Sequence, residues 1–207
     1  MRALLVVDLQ NDFMPGGALG IKGADEIIPL INQLMLKFPL VVASMDWHPA
    51  NHCSFAKSHP GKKIGDVISI DGSTQVLWPV HCVQNSPGAK LTSALKKDLI
   101  TKIFHKGTDP YIDSYSAFYD NARRKSTGLT KFLKEKKVSE IFIAGLTTDY
   151  CVVYSAIDAL DEGFAVTVIQ DACRGIDLHP HDVRNALAAI AVKGGKVITT
   201  SQLESEQ

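Results

Sequence analysis

The chain contains 207 residues, a length that suits one domain with a sizeable buried core. Hydrophobic residues make up 45% and charged residues 21% of the sequence, which is ordinary for a globular protein. Lys plus Arg and Asp plus Glu both number 22, so no net charge attracts nucleic acid, and no stretch approaches the ~20 apolar residues that span a bilayer.

The start of the chain does not have the pattern of an export signal. Residues 1–8 contain one arginine followed by five apolar residues, fewer than the ~7–15 of a secretory signal. We therefore expect a cytoplasmic protein, in which cysteines are thiols rather than disulfides. Each of the four cysteines, none of which belongs to a CxxC pair, is either buried filler or a nucleophile: Cys53, Cys82, Cys151 and Cys173.

Short apolar runs alternate with helical patterns along the chain. The runs are continuously hydrophobic, which predicts strands buried on both faces of a parallel sheet, and they cover residues 3–8, 40–45, 100–105, 140–145, 165–170 and 196–200. Amphipathic helices are predicted at 24–38, 129–137, 153–160 and 183–191. This alternation predicts a three-layer α/β sandwich with a mostly parallel sheet, in a single domain spanning residues 1–207.

Candidate metal ligands lie at the end of the second predicted strand and in the stretch that follows it. Asp46 and His48 are alternate residues of an extended segment, so their side chains point the same way. His81 and His52 lie in a long irregular stretch, and such stretches usually carry function. Mixed histidine and carboxylate ligation suits zinc, manganese or iron better than calcium or magnesium. Polar loop residues without a metal are the alternative interpretation.

Three further side chains are predicted to enter the crevice beyond the carboxyl ends of the strands. Asp8 follows the first strand, where desolvation would raise the proton affinity of its carboxyl group. The alternative is that Asp8 caps the next loop. Lys106 follows a buried strand and either stabilises negative charge there or extends to the surface. Cys151 lies at the first turn of a predicted helix, whose dipole favours a thiolate; an inert buried cysteine is the alternative.

These residues belong to five motifs of this sequence, at residues 7–13, 46–49, 78–82, 105–107 and 145–152. The same motifs occur in the same order in the nicotinamidases (pyrazinamidases) of the isochorismatase-like cysteine hydrolases. The chain resembles this family from Arg2 into the last predicted strand. The resemblance implies a six-stranded sheet and a catalytic triad of Asp8, Lys106 and Cys151. It also implies metal ligation by Asp46, His48 and His81, and some relatives add a further histidine near the position of His52.

The resemblance implies further details of the site. A cis peptide bond is expected between Leu146 and Thr147, so that the N–H groups of Thr147 and Cys151 form an oxyanion hole. Relatives commonly have alanine at the position of Thr147. Three aromatic side chains resemble the ring-binding walls of the family, although each also suits plain core packing: Phe13, Trp78 and Tyr115.

The function that the resemblance implies is hydrolysis of nicotinamide to nicotinate and ammonia through a cysteine thioester, in pyridine-nucleotide salvage. One divalent metal, zinc in the first place and otherwise iron or manganese, would orient the pyridine ring. The expected partner is a small molecule, nicotinamide or also pyrazinamide, with no nucleic acid and no membrane. No oligomeric state is implied.

Three alternatives differ from this interpretation in identifiable features. A related cysteine amidohydrolase would act on a carbamoyl or ureido substrate, and such relatives generally lack the metal ligands. A vinyl-ether hydrolase of the isochorismatase type does not require the cysteine nucleophile. A nucleotide-binding module would carry a GxGxxG turn after the first strand, and residues 16–20 have the wrong spacing.

Overall fold

The computed structural model describes residues 1–70 and 72–205. The strands in these ranges are β1 (Arg2–Val7), β2 (Val41–Asp46), β3 (Val67–Ile70), β4 (Ser73–Val76), β5 (Lys102–Lys106), β6 (Glu140–Leu146), β7 (Ala165–Arg174) and β8 (Lys196–Ile198). Six of them form an all-parallel sheet in the order β5-β2-β1-β6-β7-β8, which confirms the predicted parallel sheet. The sequence did not predict the antiparallel hairpin of β3 and β4.

The helices of the described ranges are α1 (Ile28–Met35), α2 (Leu129–Glu135), α3 (Val153–Asp161), α4 (Asp182–Val192) and α5 (Thr200–Ser205). Helix α1 is shorter than the predicted 24–38 because Pro29 lies in its first turn. Proline has no N–H to donate, so it is favoured at a helix start and disfavoured in the interior. None of the helices in the described ranges has the length and apolar composition that a membrane crossing requires.

Two hydrophobic cores lie on opposite faces of the parallel sheet. In β1, Leu4 and Val6 belong to the core that contains residues of α1 and α5, whereas Leu5 and Val7 belong to the core that contains residues of α2, α3 and α4. Because successive strand residues point to opposite faces, a strand buried on both sides must be apolar throughout. The continuous apolar run is therefore explained, and the three-layer α/β sandwich is confirmed.

Candidate active site

The carboxyl ends of four adjacent strands bring the predicted catalytic residues together. Lys106 ends β5, Asp46 ends β2, Asp8 follows β1, and Cys151 follows β6 by a short turn. These strands are neighbours in the order β5-β2-β1-β6, so residues from four distant parts of the chain meet at one edge. A cavity lies there, and its walls include Asp46 and Cys151. Crevices of this kind are where open α/β sheets bind their ligands.

The carboxylate of Asp8 is held at both oxygens. Asp8 has a φ of +51°, in the left-handed region that aspartate adopts more readily than most residues. The Ser44 hydroxyl donates a hydrogen bond of 2.7 Å to Oδ1, and Nζ of Lys106 lies 3.0 Å from Oδ2. Asp8 and Ser44 have no solvent-exposed surface. The position of this carboxylate is therefore fixed by two side chains from the neighbouring strands β2 and β5.

Lys106 connects the cysteine to two carboxylates. Its Nζ lies 3.2 Å from Sγ of Cys151 and 2.5 Å from Oδ1 of Asp46, in addition to its contact with Asp8. It also donates a hydrogen bond of 3.1 Å to the carbonyl oxygen of Ser114. The lysine thus lies in the crevice and not at the surface, and the three side chains of the predicted triad converge.

Burial keeps the cysteine protonated. Cys151 lies in a π-helical turn, Thr148–Val152, directly before α3, which agrees with the predicted position at a helix start. Burial nevertheless raises the pKa of its thiol well above the usual value, and it outweighs the opposing effect of the Lys106 ammonium. Burial also raises the pKa of Asp8, although Lys106 opposes that shift. The site therefore pairs a protonated thiol with a carboxylate whose proton affinity is increased, an arrangement suited to proton transfer.

Asp46, His48 and His81 form a group that fits a metal ion. Oδ2 of Asp46 lies 3.6 Å from Nε2 of His48 and 3.7 Å from Nε2 of His81. Each histidine directs its Nδ1 at a carbonyl oxygen, that of Gly107 at 2.9 Å for His48 and that of Pro79 at 2.8 Å for His81. Because a carbonyl only accepts, Nδ1 must carry the proton, which leaves the Nε2 lone pairs for a metal. These buried side chains suit a divalent metal.

The Gln10 side chain and the backbone at Gly107 hold two of these residues, Asp46 and His48, in place. The Gln10 side chain accepts a hydrogen bond of 2.8 Å from the Asp46 N–H and donates one of 2.7 Å to the Asp46 carbonyl. Gly107 has a φ of +61°, and a Cβ atom there would lie 2.4 Å from the His48 ring. Glycine after Lys106 therefore allows the His48 ring to pack against the backbone that accepts its hydrogen bond.

His52 lies beside this metal group rather than within it. Its ring centroid is 4.2 Å from that of His48, and its Nδ1 pairs with the Ser54 hydroxyl at 2.7 Å. Burial lowers the pKa of His52 to about 4, so the ring is neutral at physiological pH. A ring nitrogen of His52 instead lies within 4.8 Å of a ring nitrogen of His48 and of a carboxylate oxygen of Asp113. These three residues form a second group that could hold a metal ion.

The three predicted aromatic residues lie in the wall of the cavity. Phe13, Trp78 and Tyr115 all line it, and the sequence missed a fourth aromatic residue, Tyr150. The ring of Tyr150 packs edge-on against Trp78, with centroids 4.9 Å apart, and lies 5.3 Å from the Tyr115 ring. The wall is therefore apolar and aromatic opposite the charged groups, as a binding site for a flat ring requires.

Two polar residues that the sequence analysis did not single out support this wall. Gln75, on β4, donates hydrogen bonds of 3.0 Å to Oδ2 of Asp113 and 3.1 Å to the Tyr115 hydroxyl. Asp113 and Gln75 are both buried, and Asp113 lines the cavity. The hairpin of β3 and β4 thus reaches the candidate site through one side chain.

The turn before Cys151 has the expected backbone. The Leu146–Thr147 peptide bond is cis. Gly145 precedes it with a φ of +126°, and a Cβ atom there would lie 2.2 Å from the Val7 carbonyl oxygen, so only glycine fits between β6 and β1. Thr147 lines the cavity, and its hydroxyl has no hydrogen-bond partner among the residues that the structure describes.

Comparisons with known proteins agree with this architecture. A profile of the isochorismatase domain matches residues 2–202. The Escherichia coli nicotinamidase is 44% identical over 210 residues, which cover 100% of this chain and 98% of that protein. A solved nicotinamidase/pyrazinamidase from Acinetobacter baumanii superimposes with a TM-score of 0.95 at 44% identity, covering 98% of this chain and 97% of the other. A zinc-bound pyrazinamidase from Pyrococcus horikoshii gives 0.77 at 39% identity, covering 96% and 98%. The chain therefore belongs to the isochorismatase domain family and, within it, to the nicotinamidase/pyrazinamidase group.

Proposed function

We propose that this chain is a metal-dependent nicotinamidase that hydrolyses nicotinamide to nicotinate and ammonia, a reaction of pyridine-nucleotide salvage. The proposal rests on the convergence of the buried side chains of Cys151, Lys106 and Asp8 at one edge of the sheet, beside a group of side chains that fits a metal ion. The full-length similarity to nicotinamidases supports the same reaction.

The first half of the reaction uses Asp8 as a base and then as an acid. Asp8 accepts the thiol proton of Cys151, and the sulfur attacks the carboxamide carbon. The N–H groups of Thr147 and Cys151 stabilise the oxyanion that forms. Asp8 then returns the proton to the leaving nitrogen, so that the C–N bond breaks, ammonia departs and a thioester remains. Lys106 keeps Asp8 in place and stabilises negative charge beside it.

The second half regenerates the thiol. A water molecule gives a proton to Asp8 and attacks the thioester carbon, and the same N–H groups stabilise the second oxyanion. The C–S bond then breaks, Cys151 recovers its proton from Asp8, and the nicotinic acid that forms loses its carboxyl proton to water and leaves as nicotinate. Because one carboxylate serves both halves, its two supports, Ser44 and Lys106, are needed throughout.

We propose Asp46, His48 and His81 as the ligands of one metal ion, with zinc as its identity. One carboxylate and two imidazoles suit zinc, iron or manganese, and the similarity to a zinc-bound pyrazinamidase favours zinc among them. A metal held by these residues would supply a Lewis-acid contact for the ring nitrogen of the substrate and would so orient the ring. The apolar wall of Phe13, Trp78 and Tyr115 packs against the ring faces and excludes water.

The alternative reaction on a carbamoyl or ureido substrate is less well supported. Relatives with that activity generally lack the metal ligands, whereas here the three side chains are assembled and oriented. Pyrazinamide carries the same carboxamide and a ring nitrogen in the same position, so we propose it as a second substrate. We further propose a cytoplasmic location, and a single domain over residues 1–207 because strands from both ends of the chain share one sheet.

Ammonia release from a small panel of amides tests the proposal. The panel contains nicotinamide, pyrazinamide, benzamide and an N-carbamoyl amino acid, each with chelator-treated protein and after zinc is restored. We expect zinc-dependent release from the first two only. Cys151→Ala should abolish release, while Cys173→Ala, which removes a buried thiol away from the cavity, should retain it. Turnover of the ureido compound alone would overturn the assignment.

A further inference from the structure

Asp113 is a buried carboxylate that the reaction described above does not use. Its Oδ1 accepts a hydrogen bond of 2.7 Å from the Ser114 N–H, and its Oδ2 accepts the bond of 3.0 Å from Gln75. Accepting N–H donors at both oxygens is the role of an ionised carboxylate. Only 4% of the residue is exposed, it lines the cavity, and one of its oxygens lies within 4.8 Å of ligand nitrogens of His48 and His52.

Asp113 changes the net charge of the candidate site. Among the residues described by the structure, four charged side chains form one connected cluster with the metal ligands: Asp8, Asp46, Asp113 and Lys106. Three carboxylates and one ammonium carry a net charge of −2. A bound divalent cation therefore makes the cluster neutral. Without Asp113 the loaded cluster would carry one positive charge.

We propose that Asp113 allows the site to discriminate between the neutral carboxamide substrate and the carboxylate product. The inference rests on the proposed function, in which a neutral ligand becomes an anion. In a cavity shielded from water a charge acts strongly on its neighbours, so a site with excess positive charge would retain the anionic product. A neutral site gives the anion no such advantage, while a neutral amide is little affected either way. Asp113 thereby favours product release.

Binding measurements in a variant that cannot turn over separate charge from structure. In the zinc-loaded Cys151→Ala protein, dissociation constants of nicotinamide and nicotinate are measured by calorimetry at pH 7.5, with metal content verified. Adding Asp113→Asn should tighten nicotinate about tenfold or more and change nicotinamide less than about threefold, since one uncompensated charge in a buried site is worth at least a factor of ten. Asp113→Glu keeps the negative charge, so it should restore the parent ratio of the nicotinate and nicotinamide dissociation constants.

Gln75→Met is the matched control for a merely structural effect. It removes the hydrogen-bond support of Asp113 and Tyr115 but keeps the negative charge, so both ligands should weaken by similar factors. If Asp113→Asn does not fold, the pair Asp113→Glu and Asp113→Gln provides the same comparison at equal size. Equal factors for both ligands in the charge-removing variants would overturn the inference. Failure of the parent enzyme to release ammonia from nicotinamide would instead overturn the proposed function.

Discussion

Replacement of Lys106 by methionine is expected to destabilise the metal-free protein by about 3–5 kcal/mol, because it leaves two buried carboxylates without their counter-charge. The Lys106 side chain has no exposed surface, and its Nζ lies 3.0 Å from Asp8 and 2.5 Å from Asp46. Methionine fills most of the space of the lysine stem, so lost packing contributes little. A change of this size is a large part of the ~5–15 kcal/mol that stabilises a typical domain.

The destabilisation should become smaller as the pH falls. In the parent protein Lys106 and His48 overcome burial and hold the pKa of Asp46 well below its usual range. A carboxyl group with a lowered folded-state pKa contributes stability above its unfolded pKa of ~3.9 and loses it as pH falls through the folded pKa. Without Lys106 burial raises that pKa above the unfolded value, and the sign reverses. The variant should then lose stability as pH rises from about 4 towards neutrality.

Urea unfolding with chelator present, at pH 7.5 and at pH 5.0, measures both effects. A shift of the midpoint at unchanged slope reports stability. Lys134→Met is the matched control, because Nζ of Lys134 lies 3.0 Å from Glu162 but its side chain is 55% exposed. That pair should contribute about 1 kcal/mol or less. A loss of unfolding free energy in Lys106→Met no larger than in the control, or one that is equal at both pH values, would contradict this electrostatic role of Lys106.

Four further substitutions test single side chains of the site. Ser44→Ala removes the hydrogen bond to Asp8 and should lower kcat about tenfold or more with little change in KM, measured by steady-state ammonia release, whereas an unchanged kcat would contradict that contact. Thr147→Val removes a buried hydroxyl without a partner and should raise the free energy of unfolding by about 1 kcal/mol in urea titrations; a loss of stability would show that the hydroxyl is satisfied. His48→Ala should weaken zinc binding at least about 100-fold in chelator competition and His52→Ala only about tenfold, and the reverse ranking would place His52 among the ligands.

The sequence predicted the central sheet and the residues at its carboxyl edge because both depend on local pattern. A strand buried on both faces must be a continuous apolar run, and the six runs became the six parallel strands. Each run ends where the chain leaves the sheet, so the first polar residue after it lies at the edge. Asp8, Asp46 and Lys106 were found in this way.

The hairpin was missed although its sequence contains a usable signal. Val67, Ile68, Ser69 and Ile70 alternate between exposed and half-buried positions, and an Asp-Gly pair follows them, which is a common hairpin turn sequence. The hairpin lies within the long stretch that was predicted to be irregular, so that prediction was wrong for β3 and β4. Its consequence was that Gln75, the inward residue of β4, was not recognised.

Individual hydrogen bonds between distant segments could not be predicted from local pattern. Gln75 and Asp113 are 38 residues apart, and Ser44 and Asp8 are 36 apart. Nothing in the local sequence of Ser44 distinguishes it from any other small residue of a buried strand. Its role depends on strand order, which places β2 directly beside β1. The electrostatic environment of Cys151 is likewise a tertiary property, because burial and not the helix start determines the shift of its pKa.

Strand order also explains why the proposed nucleophile and the proposed metal ligands form one electrostatic unit. Strand β2 lies between β5 and β1, so Asp46 stands between Lys106 and Asp8 at the sheet edge. The Lys106 ammonium therefore neutralises part of the charge of both carboxylates, that of Asp46, the proposed metal ligand, and that of Asp8, the proposed base. Each of these charges would be costly to bury alone, and each is tolerated because the others are present. It follows that loss of the metal should disturb the base as well as the position of the substrate, since Lys106 is then drawn more strongly towards Asp46.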